Sequence, residues 1–473
     1  MSSAGSAQGG TFQGWVFIAR LALVQASLGA IIVLTTSTLN RVMVVELALA
    51  AMIPGALVTL REALQFLRPR WGHGSDVGGR RTPWIVGGMA LLALGGIGAG
   101  LSTAWMGTDL TGGLIGAVVS YTVIGIGVGA AGTNLLALLA KRVEPTRRAA
   151  AATIVWLMMF VGFIISAAVA GAYLDIADVT AATASGYSPE RLVMVTTGVC
   201  VVAFLVSAAA MWGIEGRRAP KAKAAPEVET EAAPAPPPKP GFLESLAEVW
   251  REDEARRLAI FIFVAMLSYN IQDLILEPFA GAVFAYTVGA STQLTSVQHS
   301  GALAGMLLVG ILASGFGGGR PAVLKLWTMG GCVASGLCLL AIAVSGQYAE
   351  VWPLRATVFL MGLANGAFAV AAISTMMGLA SAGAADREGI RMGVWGAAQA
   401  IAFALGGFLG TVAVDATRQV FDDPAHAYGV VFAAEGVLFA ASALLAARVG
   451  GAAALSRLRE PGGATADQSL PAQ

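Results

Sequence analysis

The sequence predicts an all-α membrane protein with twelve transmembrane helices in two pseudo-symmetric six-helix halves. Three observations predict it. Of 473 residues, 56% are hydrophobic and 12% charged, where soluble domains carry roughly 25% charged residues; mean hydropathy is +0.74. Apolar runs near the ~20 residues that a bilayer core demands recur along the chain. Cations collect in alternate connecting stretches, as the bias of cytoplasmic loops toward Lys and Arg requires.

The first six spans are expected at about 15–37, 46–67, 84–103, 112–140, 150–174 and 191–214. They make an N-terminal half, 1–214. Residues 215–257 then break the pattern with Pro, Ala, Lys and Glu and a PAPPPKP run, a composition that forms an extended linker and no core. At its end Phe242, Leu246, Val249 and Trp250 share one helical face, which predicts a short helix on the membrane surface. The second six spans are expected at about 258–280, 293–315, 322–345, 353–381, 391–417 and 428–449, a C-terminal half of 258–449. The polar residues 450–473 read as a disordered cytoplasmic tail. The first fourteen residues lack a basic n-region, so no cleavable signal is expected.

Charge placement orients this map. The stretch RPRWGHGSDVGGRRTPW, Arg68 to Trp84, is too polar for hydrocarbon and marks a water-exposed turn between spans two and three. Its arginines place it in the cytoplasm, which puts both termini and the linker on that side. The opposite loops carry Asp109, Asp175, Asp178, Glu190, Glu350, Asp422 and Asp423 with few cations. Six spans followed by six, with similar loop lengths, is the layout of a duplicated transporter bundle around a central cavity. Cys200, Cys332 and Cys338 all lie in apolar runs and read as small core residues.

Within the same turn, Gly72, Asp76, Gly79, Arg80 and Arg81 follow the pattern G-x-x-x-D-x-x-G-R-R. This resembles the loop between spans two and three of the major facilitator superfamily, with Val77 where that superfamily usually has a cation. The resemblance implies that Asp76 docks near a helix end of the opposite half, with Arg80 beside it, as a conformational latch. A narrower resemblance rests on TTSTLNRVMVVELALAAMIPGALV (Thr35 to Val58), Arg68 to Met89, and QDLILEPFAGAVF (Gln272 to Phe284). These stretches are similar to the bacteriochlorophyll-delivery, PucC/LhaA-like branch of the superfamily, nearest its members with the old name of a bacteriochlorophyll synthase chain. The resemblance implies pigment handling and light-harvesting complex assembly in the inner, intracytoplasmic photosynthetic membrane. It implies bacteriochlorophyll or a precursor as ligand or cargo. The implied partners are the lipid bilayer, antenna polypeptides and pigment-synthesis enzymes, with no nucleic acid.

Ionisable residues within spans cost ~2.5–3.5 kcal/mol each on insertion scales and so call for a reason. Arg41 and Glu46 lie at the outer junction of spans one and two, as an interfacial ion pair pinning a turn or as a partner contact. Arg61 and Glu62 are adjacent and expected on different faces; Arg61 can snorkel, whereas Glu62 either pairs with another helix or lines the cavity. Asp273 and Glu277 share a face of span seven just before Pro278, which is expected to disturb the helix. Two such acids suit charge coupling, or else sit at the outer boundary. His299 is the one histidine in an apolar span and is either a helix–helix hydrogen bond or an axial ligand for a chlorin magnesium. Small residues Ser300, Gly301, Ala302 and Gly305 flank it and would admit a flat ring.

Other patterns carry no chemistry. Gly127, Gly129 and Gly132 satisfy G-x-G-x-x-G inside span four, with no preceding strand, and read as helix packing, like Gly406 and Gly410. No Walker A sequence, Asp-rich diphosphate motif or Ser/His/Asp grouping is present. The resemblance thus implies a non-enzymatic delivery and assembly protein. The alternatives are a proton-coupled carrier of a small solute and an accessory subunit of pigment synthesis.

Overall fold

The computed structural model describes residues 4–67, 80–144, 147–175, 187–215, 250–315, 321–381 and 388–449. The first half holds α1 (Ala4–Thr36), its short continuation α2 (Thr38–Arg41), and a π turn over Val42–Glu46. Then come α3 (Met52–Ala63) with a 3₁₀ turn over Leu64–Leu67, α4 (Thr82–Met106), α5 (Leu110–Arg142), α6 (Arg148–Leu174) and α7 (Pro189–Met211). The second half holds α8 (Asp253–Phe284), α9 (Val288–Gly315), α10 (Pro321–Ser345), α11 (Leu354–Ser381), α12 (Glu388–Arg418) and α13 (Pro424–Arg448). Among the described residues eleven helices are long and apolar enough to cross a membrane.

Packing repeats between the halves. In the first, α1 packs on α6 and α7, α4 on α5 and α7, and α3 on α5. In the second, α8 packs on α12 and α13, α10 on α11 and α13, and α9 on α11. The halves meet where α6 lies on α9 and α3 on α12, two seams exchanged by the pseudo-two-fold axis. The bundle has an acid-loop end, with Asp109, Asp175 and Asp423, and a linker end, with Arg142, Arg147 and Glu215.

Two cations inside spans serve helix ends. Arg20 donates from Nε to the Ala210 carbonyl at 2.7 Å, and from Nη2 to the Trp212 carbonyl, at the C-terminus of α7. Lys325 does the same for α13, donating to Ala447 at 2.5 Å and Val449 at 2.9 Å. A cation at a helix C-terminus meets orphan carbonyls and the negative end of the dipole. Each half thus closes its sixth helix in the same way.

Two expectations about spans are corrected. The second span is not one helix over 46–67. The helix of span one continues through a turn at Ser37 into the π turn, the chain leaves helical geometry after Glu46, and α3 starts only at Met52. Twelve residues of α-helix reach about 18 Å at 1.5 Å per residue, short of the ~30 Å hydrocarbon core. The amides of Leu47 and Leu49 turn back to the Val42 and Met43 carbonyls, and those at the start of α3 are satisfied from the other half, as backbone at membrane depth requires: the Asp415 carboxylate accepts from Ala51 N–H at 2.9 Å and Met52 N–H at 2.7 Å. Pro278, in contrast, does not break span seven. It lies inside the continuous α8, where surrounding helices and adjustable backbone tolerate a missing amide. The surface helix expected near Phe242 to Val249 lies outside the described residues.

Candidate functional site: a polar seam between the halves

The C-terminal end of α1 and its continuation bring polar side chains against α8 and α9. The Thr38 and Thr292 hydroxyls lie 3.1 Å apart. Asn40 donates from Nδ2 to the Leu274 carbonyl at 2.7 Å. Arg41 is 1% exposed and donates to Glu46 and, at 2.8 Å, to the Tyr286 carbonyl. The pair is therefore buried between the halves and does more than pin an interfacial turn. Its approach to α8 depends on Gly281, where an added Cβ would stand 3.1 Å from Arg41 Nε. Ala285 ends α8 with φ of 52°, and the Tyr286 amide turns back to the Ala280 carbonyl at 3.1 Å. This left-handed helix end positions the carbonyl that Arg41 uses.

Next to this contact stand the expected acids. Glu277 is 2% exposed and accepts from the Thr295 hydroxyl of α9. Asp273 is half-buried and faces Gln298 Nε2 at 3.4 Å. Thus the acids have separate amide or hydroxyl partners on α9 and are not at an exposed boundary. A third acid, Glu435 of α13, is 1% exposed and lies near Gln272 and Asp273 of α8. Sequence reading missed it, as it missed Asp415, because each lies alone in an apolar run with its partners far along the chain.

His299 sits at the α6–α9 seam. Its ring centroid is 4.7 Å from that of Phe163, edge to face, and 5.8 Å from that of Phe160. Its Nδ1 lies 2.8 Å from the Thr295 carbonyl. A carbonyl only accepts, so Nδ1 carries a proton, and in the neutral ring Nε2 then keeps its lone pair. The neighbouring small residues do not leave a slot for a flat ring. A Cβ on Gly301 would fall 2.2 Å from the Phe359 carbonyl, and one on Gly305 2.1 Å from that of Leu363. They allow α9 to pack closely on α11.

In the first half, Arg61 is 5% exposed and does not snorkel. It donates to one Glu62 oxygen from Nε at 3.0 Å and Nη2 at 2.6 Å, and to the Thr35 hydroxyl at 3.1 Å. Adjacent side chains expected on different faces thus converge, with Glu62 still 27% exposed. Tyr121 donates to the Thr35 carbonyl at 2.9 Å, so the end of α1 is held from two sides.

The G-x-x-x-D-x-x-G-R-R loop pattern is described only at Arg80 and Arg81; Gly72, Asp76 and Gly79 lie outside the described residues. Arg80 donates to the Glu215 carbonyl at 2.9 Å, and the Glu215 carboxylate caps α4 by accepting from the amides of Arg81 at 2.9 Å and Thr82 at 2.8 Å. Burial pushes this carboxyl up, yet its bonds to Thr82 and Arg81 and the nearby Arg142 outweigh that and hold it below the ordinary Glu value. These contacts join the end of α7 to the start of α4, within one half. A hollow of about 810 Å³ lies apart from the seam, between Ala104 and the Pro189–Val201 stretch of α7.

Comparisons with known proteins agree with this architecture. The chain is 45% identical over 445 residues to the "Bacteriochlorophyll synthase 44.5 kDa chain" of Rhodobacter capsulatus, covering 94% of this chain and 98% of the relative. It is 31% identical over 421 residues to "Protein PucC" of the same organism, covering 84% and 83%. Among solved structures it matches an inward-facing, unoccupied bacterial homolog of the human lysosomal transporter Spinster with a TM-score of 0.65 at 14% identity, over 92% of this chain and 97% of that one. That likeness gives the fold, which is that of major facilitator transporters. The model of the PUCC protein family matches residues 38–454, and the chain belongs to that family.

Proposed function

We propose that this chain handles bacteriochlorophyll or a precursor and supports assembly of light-harvesting complexes in the inner membrane of a phototrophic bacterium, with both termini in the cytoplasm. The observation that carries this reading is identity of 45% across nearly the full length of a relative named for bacteriochlorophyll. Antenna polypeptides and pigment-synthesis enzymes are its proposed partners. Its role is delivery and not catalysis; the word synthase belongs to the relative's name.

The test is a mild-detergent pull-down from a phototrophic host, read for chlorin absorbance and co-purifying antenna polypeptides, together with a deletion strain. Loss of antenna with continued pigment synthesis supports the reading. Accumulation of pigment without its tail overturns it in favour of a synthesis subunit. Within this function His299 would present a ring nitrogen to a chlorin magnesium only if the seam opened at Phe160 and Phe163, because the closed seam leaves no slot for a flat ring. An H299F variant with unchanged pigment retention and spectrum rejects that ligation.

A second reading, a proton-coupled carrier, draws on Asp273 and Glu277, which face α9, and on buried Glu435 near Asp273 within the second half. Normal antenna assembly in a D273N/E277Q variant rejects charge coupling.

A further inference from the structure

We propose that the hollow beside α7 is a site for a phospholipid with a primary-amine headgroup, its chain lying along the helix and its ammonium on Glu190. Glu190, Met194, Gly198 and Val201 recur at helical spacing on one face of α7. With Ala104 of α4 they line the hollow, whose volume of about 810 Å³ falls within the ~300–1,000 Å³ of small-molecule sites. Below the carboxylate the wall is apolar and open: Met194 is 61% exposed and Val201 42%. Methionine there adapts to a flexible chain. An added Cβ at Gly198 would meet nothing within 4 Å, so no neighbouring helix asks for glycine at this notch.

Length and charge select the occupant. Pro189 to Val201 covers about 18 Å of helix at 1.5 Å per residue, close to the ~15 Å that half of a ~30 Å hydrocarbon core measures. The hollow is thus one leaflet deep, which fits a lipid chain, whereas a transmembrane helix crosses the full core. Its mouth lies at the acid-loop end. Glu190 is exposed there, accepts from the Ser188 hydroxyl at 2.9 Å and has no ion pair among the described residues. The loops at this end carry Asp109, Asp175 and Glu350 besides, a field that repels an anionic headgroup. A primary ammonium brings three donors for a charge-assisted bond to a carboxylate, and the trimethylated choline headgroup brings none. This inference concerns the lipid at one flank and stands whether or not pigment is the cargo.

The test incubates the full chain in mild detergent with equal amounts of phosphatidylethanolamine, phosphatidylcholine and phosphatidylglycerol of the same acyl chains, and counts retained lipid by native mass spectrometry. Phosphatidylethanolamine is expected to be retained about threefold over the other two, within the range of one exposed ion pair. E190Q should bring it to parity with phosphatidylcholine, and G198F, which fills the hollow, should remove it while thermal melting stays as in the wild type. No preference in the wild-type chain overturns the proposal. A preference that survives both variants also overturns it, since the lipid then sits elsewhere. So does a pull-down from host membranes in which G198F sheds a polypeptide or a chlorin and no lipid.

Discussion

The two halves share a packing plan but differ in their second helix. In the second half, α9 runs 28 residues and lies close on α11 through Gly301 and Gly305. In the first half, α3 is 12 residues, and its start depends on a carboxylate from the opposite half. One helix is completed by its own half and the other by its neighbour. Duplication of a fold thus preserves which helices touch while allowing one copy to give up self-sufficiency, and the first half becomes the one whose geometry depends on docking.

The largest effect that would break this comparison is at the α9–α11 contact. G305L forces a side chain into backbone 2.1 Å from the ideal Cβ and should abolish a monodisperse folded protein, because the overpacking penalty, ordinarily about 1–3 kcal/mol, rises when a bulky side chain meets backbone. G198L on α7, where a Cβ meets nothing within 4 Å, should leave thermal melting unchanged. Similar melting of the two variants would refute the close-packed role. Next in size is R41M, which leaves Glu46 buried without its cation and should cost about 3–5 kcal/mol. R41M/E46L should recover most of that in detergent melting curves; R61M should cost less, since Glu62 reaches water. No recovery in the double variant would show that Arg41 acts through Tyr286 alone.

Smaller effects sharpen the contrast at the two ends. Glu215 caps α4 in the first half and Asp423 caps α13 in the second, and both carboxyls are held below their ordinary values. For Asp423 the cause is first the Ala425 amide and then His426. A depressed folded pKa stabilises above the unfolded carboxylate range, and the contribution disappears as pH falls through the folded value. Melting of the wild-type chain should therefore drop on acidification below the normal carboxylate range, and E215Q and D423N should each flatten that drop. Unaltered acid profiles would remove the caps from the account. Smallest of all, R20M and K325M should each lower stability by about 0.3–1 kcal/mol, the usual worth of a cation at a helix C-terminus. A large difference between them would show that the matched caps are not equivalent.

Most of the architecture was legible in the sequence because hydropathy and alternating loop charge act locally. The errors fall where partners are distant. LALAA, Leu47 to Ala51, carries no local stop signal, and the carboxylate that receives the chain where helix resumes is Asp415, more than three hundred residues away. Pro278 does carry a stop signal, but tertiary surroundings override it. Asp273, Glu277 and His299 could be picked out as polar groups in apolar runs, and the structure gathers them at one seam. Which atoms they face could not be read, since Thr295 and Gln298 become partners only through the packing of α8 on α9. Glu435 was equally visible as an isolated acid, but nothing near it in sequence pointed to Asp273.

The π turn at Val42–Glu46 has a consequence for chain length. Its closing bond runs from the Leu47 amide to the Val42 carbonyl at 3.0 Å, five residues back, one more than an α-turn holds. Deleting Val45 would return the stretch to α spacing and turn Glu46 by about 100° around the axis. Glu46 would then face away from Arg41, so the spare residue acts as a register shim that sets the phase of this acid against its cation.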